Sequence, residues 1–191
     1  LTDNAVYLGL VEGQRVEFKR FDIQDGLGLG LLRGGPIEVA WVSGRLSDAT
    51  VLRAKELRIA ELIQVPDGHK IPPFQALLDK RGLGWDEVAF VGDDLADIAM
   101  LRRVGVPIAV ANAVDEVKAL AMYVTRAEGG KGAVREAVTW LLGQRGEYDA
   151  AVNLKRGDAL VSSKLISASA HDELRAALVQ AQAREATTNA Q

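Results

Sequence analysis

The sequence predicts an α/β fold in which a parallel sheet is covered by helices on both faces, and three observations carry that prediction. Short apolar runs of strand length alternate with segments of helical spacing from about residue 37 to residue 142, the pattern of a sheet wound through helical crossovers. One run, Val88-Ala89-Phe90-Val91, is continuously apolar, as a strand covered on both faces must be. Polar groups follow directly where Val42 and Val91 end, as Ser43 and as Gly92-Asp93-Asp94, and ligands of doubly wound sheets collect at such carboxyl ends.

The elements follow in order. Ala5 to Leu10 and Arg15 to Phe21 are β-leaning runs separated by Glu12-Gly13-Gln14, with Val16 and Phe18 alternating with Glu17 and Lys19; they predict a hairpin. The glycine-rich stretch Asp25 to Gly35 carries no element in this reading. Ile37 to Val42 predicts a strand ending in Ser43-Gly44-Arg45, and Ser47 to Arg58 a helix whose Val51, Leu52, Lys55 and Glu56 divide over two faces. Ile59 to Gln64 is the next strand, then a loop with Pro66, Gly68, Pro72 and Pro73, then a helix from about Phe74 to Arg81. The Val88–Val91 strand stops at Gly92. A helix from Met100 to Val104, a strand from Pro107 to Ala111, a helix near Val114 to Ala121, a short Tyr123–Thr125 strand and a helix from Gly132 to Leu142 complete the alternation. Beyond about Tyr148 the pattern weakens. Ser169, with Asp172 three residues on, is the expected cap of a final helix to about Glu185, and Thr187 to Gln191 is expected to fray.

Composition bounds the function. With 191 residues, 48% of them hydrophobic, the chain has material for one ordinary domain plus a modest extension. A formal charge of -3 supplies no basic field for nucleic acid or anionic lipid, and no apolar run reaches the roughly 18 residues of a membrane span. There is no cysteine, which excludes disulfides, thiolate metal sites and a thiol nucleophile. A soluble protein with a small-molecule or protein partner and a cytoplasmic location is expected.

Three groups stand where chemistry would. Asp93 and Asp94, on a turn opened by Gly92, with Asp97 on the first turn of the next helix, suit a Mg²⁺ that keeps several waters and touches a phosphate; the same carboxylates also suit a helix cap. Ser43 offers a hydroxyl and neighbouring N–H groups to a phosphoryl oxygen, and is equally a serine in a turn. Lys70, in a loop before a helix, is placed to neutralise phosphate charge, as any loop lysine is placed to face water.

In this order, Ser43-Gly44-Arg45, Lys70 and Gly92-Asp93-Asp94-Leu95-Ala96-Asp97 resemble motifs two to four of the haloacid dehalogenase phosphohydrolase superfamily. Adding Leu1-Thr2-Asp3, the hairpin, Asp25-Gly26-Leu27-Gly28, Arg53-Ala54-Lys55-Glu56-Leu57 and Gly129-Gly130-Lys131-Gly132-Ala133-Val134-Arg135-Glu136, residues 1–148 resemble the 3-deoxy-D-manno-octulosonate 8-phosphate phosphatase family. The resemblance implies a three-layer Rossmann-like doubly wound sheet with a β-hairpin in place of a cap domain. It implies a homotetramer joined through the Ala5–Phe21 hairpins, and Mg²⁺-dependent hydrolysis of a phosphorylated sugar acid. It assigns Asp93 to Mg²⁺, with Asp94 and Asp97 supporting that site or the lysine. Ser43 would hold the phosphoryl group, Lys70 would screen it, and Arg45 would face the substrate carboxylate. Residues 149–191 fall outside the resemblance and are expected to be an extension, partly helical or disordered.

The family's Asp-x-Asp-Gly-Val strand, which carries the nucleophile and its acid/base partner, comes immediately before Leu-Thr-Asp. The expectation is therefore that the natural protein is longer, that the first strand is absent here, and that this chain is inactive. Two alternatives remain: a non-catalytic oligomeric or binding module, or the phosphatase-like domain of a sugar-nucleotide synthetase. Gln24 where the family often has Arg, Ser43 for the commoner Thr, and Pro72-Pro73 after Lys70 depart from its pattern.

Overall fold

The computed structural model describes residues 2–188. The elements run β1 (Tyr7–Val11), β2 (Gln14–Phe18), α1 (Ile23–Gly30), β3 (Ala40–Ser43), α2 (Asp48–Glu56), β4 (Glu61–Gln64), α3 (Ile71–Arg81), β5 (Ala89–Gly92), α4 (Ile98–Leu101), β6 (Val106–Ala109), α5 (Asp115–Lys118), β7 (Tyr123–Val124), α6 (Ala133–Gln144), α7 (Tyr148–Ser162) and α8 (Ala168–Thr188). The chain divides into two compact units, one of residues 1–26 and 39–137, the other of residues 27–38 and 138–191.

In the first unit β1 and β2 pair antiparallel, with Val11 opposite Gln14. Their two-residue turn puts both Glu12 and Gly13 at positive φ, the geometry whose twist matches paired strands. The parallel sheet is in two pieces. β3 pairs with β4, Ser43 opposite Gln64, and β5, β6 and β7 form the other in that order. Both pieces pack on one cluster, in which Phe74, Leu78 and Met100 are buried against Ala40 and Val42 of β3, Ile63 of β4 and Val88 and Phe90 around β5. A second cluster, Leu101, Ala109, Val110, Ala113, Val117 and Ala133, takes in Phe90 and Val91. Val88, Phe90 and Val91 of the β5 run are thus apolar because they meet these clusters, while Ala89 is exposed.

Several expectations change. The glycine-rich stretch from Asp25 opens as helix α1, started by Asp22, whose carboxylate accepts the Gln24 N–H at 2.7 Å. Gly26 serves close approach there: a Cβ would lie 2.8 Å from Arg53 Nη2 and 3.0 Å from Leu57 Cδ2. α3 begins at Ile71, three residues before the predicted start, because Pro72 and Pro73 occupy the first turn, where a missing N–H costs no helical hydrogen bond. The predicted Met100–Val104 helix is the shorter α4, shifted towards Asp97.

Asp25 is 1% exposed. Its Oδ1 accepts the Arg135 N–H at 3.0 Å, while its buried Oδ2 accepts no hydrogen bond among the described residues. Burial pushes this carboxyl above the usual carboxylate range, against the backbone N–H groups of Arg135 and Val134 that favour the charge. The folded chain therefore keeps a proton that the unfolded chain releases near pH 4. The site's contribution to stability is complete below that value and is lost as pH rises through the folded value. Asp25→Asn retains an acceptor for Arg135 and removes the charge. Its urea midpoint relative to the native sequence should therefore climb between about pH 4 and pH 8, and a pH-independent difference would refute this origin.

The second unit is helical. α7 continues through Lys155-Arg156-Gly157-Asp158, where the sequence pattern weakens, because Gly157 admits α8: a Cβ there would lie 2.5 Å from Leu174 Cδ1. α8 is capped by Ser167, whose Oγ accepts the Ala170 N–H at 3.2 Å, so Ser167 takes the role expected of Ser169. Of the expected fray at Thr187 to Gln191, residues 189–191 lie outside the described residues.

Candidate active site

The site assembles at the carboxyl ends of β3 and β5. Gly92 ends β5 and the chain turns so tightly that a Cβ at Gly92 would lie 2.8 Å from the Asp97 Cβ. Glycine at 92 thus lets Asp97 fold back over the strand end. One Asp97 oxygen, Oδ2, accepts the Asp93 N–H at 2.9 Å and the Asp94 N–H at 3.4 Å. The other, Oδ1, lies 2.6 Å from Lys70 Nζ. Asp97 and Lys70 are 5% and 9% exposed, so this is a buried charge-assisted pair. Lys70 immediately precedes α3, and its Cε would stand 3.8 Å from a Cβ at Gly44, which brings the ammonium beside the Ser43-Gly44-Arg45 turn.

Ser43 is engaged within that turn. Its hydroxyl donates to the Arg45 carbonyl at 3.0 Å and accepts the Arg45 N–H at 3.2 Å. Asp93 is partly buried, and burial first, then the charge of Asp97, pushes its carboxyl above the usual range. The Asn4 side chain hydrogen-bonds to it and favours the charged form.

The structure therefore brings Ser43, Lys70, Asp97 and Asp93 together and treats the other two predicted residues differently. Asp94 is exposed and caps the turn at Leu95–Asp97, its Oδ1 accepting the Leu95 N–H at 2.7 Å. Arg45 reaches the hairpin, with Nη2 2.9 Å from Glu17 Oε2. Sequence reasoning missed Asn4, whose positive φ of 60° aims an amide at Asp93. It missed Asn112 too, whose Oδ1 accepts the Gly129 N–H at 2.8 Å and fixes the Gly129–Gly132 loop. Neither asparagine sits in a spacing that marks it.

A divalent cation fits this donor set in one respect. The Asp97 charge that raises the proton affinity of Asp93 is offset by a positive charge, and Asp93 presents a hard oxygen donor. No group of three His, Asp or Glu able to hold a metal occurs among the described residues. Mg²⁺ here would take its remaining ligands from water and a substrate phosphate, as Mg²⁺ commonly does.

Comparison with known proteins agrees with this geometry. Residues 49–137 match the model of the haloacid dehalogenase-like hydrolases. The chain is 38% identical over 151 residues to the 3-deoxy-D-manno-octulosonate 8-phosphate phosphatase KdsC of Escherichia coli K12, covering 79% of this chain and 78% of that one. Among solved structures, the 3-deoxy-D-manno-octulosonate 8-phosphate phosphatase of Moraxella catarrhalis, in complex with magnesium, phosphate and KDO, is similar with a TM-score of 0.73. It shares 36% identity, over 80% of this chain and 85% of that one. A probable phosphatase of the YrbI family from Pseudomonas syringae gives the same TM-score at 39% identity, over 79% and 84% of the two chains. Among the described residues no helix is long and apolar enough to cross a membrane.

Proposed function

Because the chain belongs to the haloacid dehalogenase-like hydrolases, within the 3-deoxy-D-manno-octulosonate 8-phosphate phosphatase family, we propose that it serves Mg²⁺-dependent release of phosphate from 3-deoxy-D-manno-octulosonate 8-phosphate. The observation that carries this reading is the buried Lys70–Asp97 pair set between the Ser43 turn and Asp93. A cation held there by a carboxylate, beside a hydroxyl and a second carboxylate, is what a phosphoryl group with spreading negative charge requires.

Ser43 and the N–H groups of its turn receive the phosphoryl oxygens, exchanging the internal Ser43–Arg45 bonds for substrate. Lys70 screens the charge, and Asp97 holds Lys70 in place. Asp93 holds Mg²⁺, with Asn4 orienting the carboxylate. When bound, that ion supplies charge stabilisation at the transferring group. Asp94 acts on the turn rather than on the ion. Arg45 meets the substrate carboxylate, a two-oxygen partner suited to its planar fork. Binding, screening and metal holding are the roles assigned to these residues.

Leu8, Leu10, Val11 and Phe18 of the hairpin are each more than half exposed, Leu10 at 76%. This apolar surface supports a homotetramer joined through the hairpins. A cytoplasmic location fits the same reading, and a fluorescent fusion found outside the cytoplasm would oppose it.

The test is phosphate release from a panel of sugar-acid phosphates by a polypeptide that includes the family's Asp-x-Asp-Gly-Val segment ahead of Leu1. Release from the eight-carbon substrate, abolished by chelation, is expected, and light scattering of the same preparation should give a tetramer. No release with Mg²⁺ present would overturn the reaction, and a monomer would overturn the assembly.

A further inference from the structure

We infer that Glu17, on the hairpin and outside every motif of the site, is a positioning residue for Arg45 and thereby sets how well the site selects a substrate bearing a carboxylate. The inference rests on the reading of Arg45 given above.

Glu17 lies on β2, and its Oε2 is 2.9 Å from Arg45 Nη2. Its Oε1 is buried, with the Lys19 ammonium 3.6 Å away. Lys19 is itself tethered, donating to Thr50 Oγ1 at 3.2 Å, and the Thr50 N–H donates to Ser47 Oγ at 3.3 Å. The Ser47 hydroxyl first, then the Arg45 guanidinium and Lys19, hold the Glu17 carboxyl below the usual range, against burial. The carboxylate is therefore charged and fixed on its hairpin side by groups from the start of α2.

Arg45 is fixed at one nitrogen only. Its side chain is 58% exposed, and among the described residues its Nε and Nη1 have no hydrogen-bond partner. A guanidinium carries five N–H donors in a rigid fork. Anchoring one Nη2 N–H to Glu17 restrains the side chain while leaving the other edge of the fork, the second Nη2 N–H with its neighbouring nitrogen, for a bidentate carboxylate. An exposed pair of this kind adds little to stability. Its value is that the restraint of a long side chain precedes ligand binding instead of opposing it.

Titration calorimetry of the full chain with free 3-deoxy-D-manno-octulosonate and, separately, with inorganic phosphate plus Mg²⁺ tests this. Glu17→Gln keeps the shape and removes the charge. It should weaken the sugar acid about tenfold, the order of one well-placed polar contact, while phosphate changes by less than about twofold. Arg45→Gln should weaken the sugar acid similarly, and Glu17→Gln on top of it should add nothing, because the two act as a unit. Unchanged sugar-acid affinity in Glu17→Gln overturns the inference while leaving the reading of Arg45 intact. Equal losses for both ligands overturn it in favour of a scaffolding role, as does a further loss in the Arg45→Gln background. A native chain that takes up phosphate but no sugar acid removes the reading of Arg45, and this inference with it.

Discussion

Asp97→Ala is expected to cost about 3–5 kcal/mol of folding stability, the range found when one partner of a buried ion pair is removed. Lys70 keeps its ammonium in a site only 9% exposed, and its carboxylate 2.6 Å away is gone. The Asp93 N–H loses its acceptor at the same time. Lys70→Met should cost less, since the Asp97 carboxylate still accepts the Asp93 and Asp94 N–H groups. Joining Lys70→Met to Asp97→Leu should recover part of the loss, because an apolar pair carries no desolvation penalty. Urea midpoints at neutral pH read all three. A loss of less than about 1 kcal/mol for Asp97→Ala, the scale of an exposed pair, would mean that the pair is solvated and does not organise the site.

Gly130→Ala is expected to cost about 2–4 kcal/mol, from a left-handed backbone penalty of about 1 kcal/mol and overpacking of about 1–3 kcal/mol. Gly130 has φ +69°, and a Cβ there would run into the backbone of Thr2 and Asp3. Backbone has no rotamer to escape into, so the segment carrying Asn4 must move, and Asn4 is the group that hydrogen-bonds Asp93. Gly13→Ala provides the comparison. Its φ is +78° and nothing lies within 4 Å, so only the conformational term, about 1 kcal/mol, applies. Equal thermal shifts for the two variants would show that the crossing of Gly130 by residues 2 and 3 contributes nothing.

The alternation of strands and helices was legible because it rests on local patterns, and the places of Ser43 and Asp93 because a polar group stands directly after an apolar run, or after the glycine that stops it. Element ends were less so. Pro72 and Pro73 read as loop, although the first helical turn has no use for their missing donors. Gly26 and Gly157 read as breaks, although each is small so that Arg53 or Leu174 can come close, and the approach of a distant side chain leaves no local mark. In the acidic loop the cap falls to Asp94, while Asp93 faces Asn4 and Asp97 faces Lys70. Spacing distinguishes none of the three. Glu17, in an ordinary alternating strand, gave no sign of its partner 28 residues away.

The two pieces of parallel sheet share what neither has alone. On the α3 side, β3 and β4 bury Ala40, Val42 and Ile63 against the same Phe74, Leu78 and Met100 that receive Val88 and Phe90. Melting either piece strips Phe74, Leu78 and Met100 of part of their packing and so withdraws support from the other. The first unit should accordingly lose structure as one cooperative body, and the Ser43 turn and the Asp93 loop, one on each piece, should lose their arrangement together.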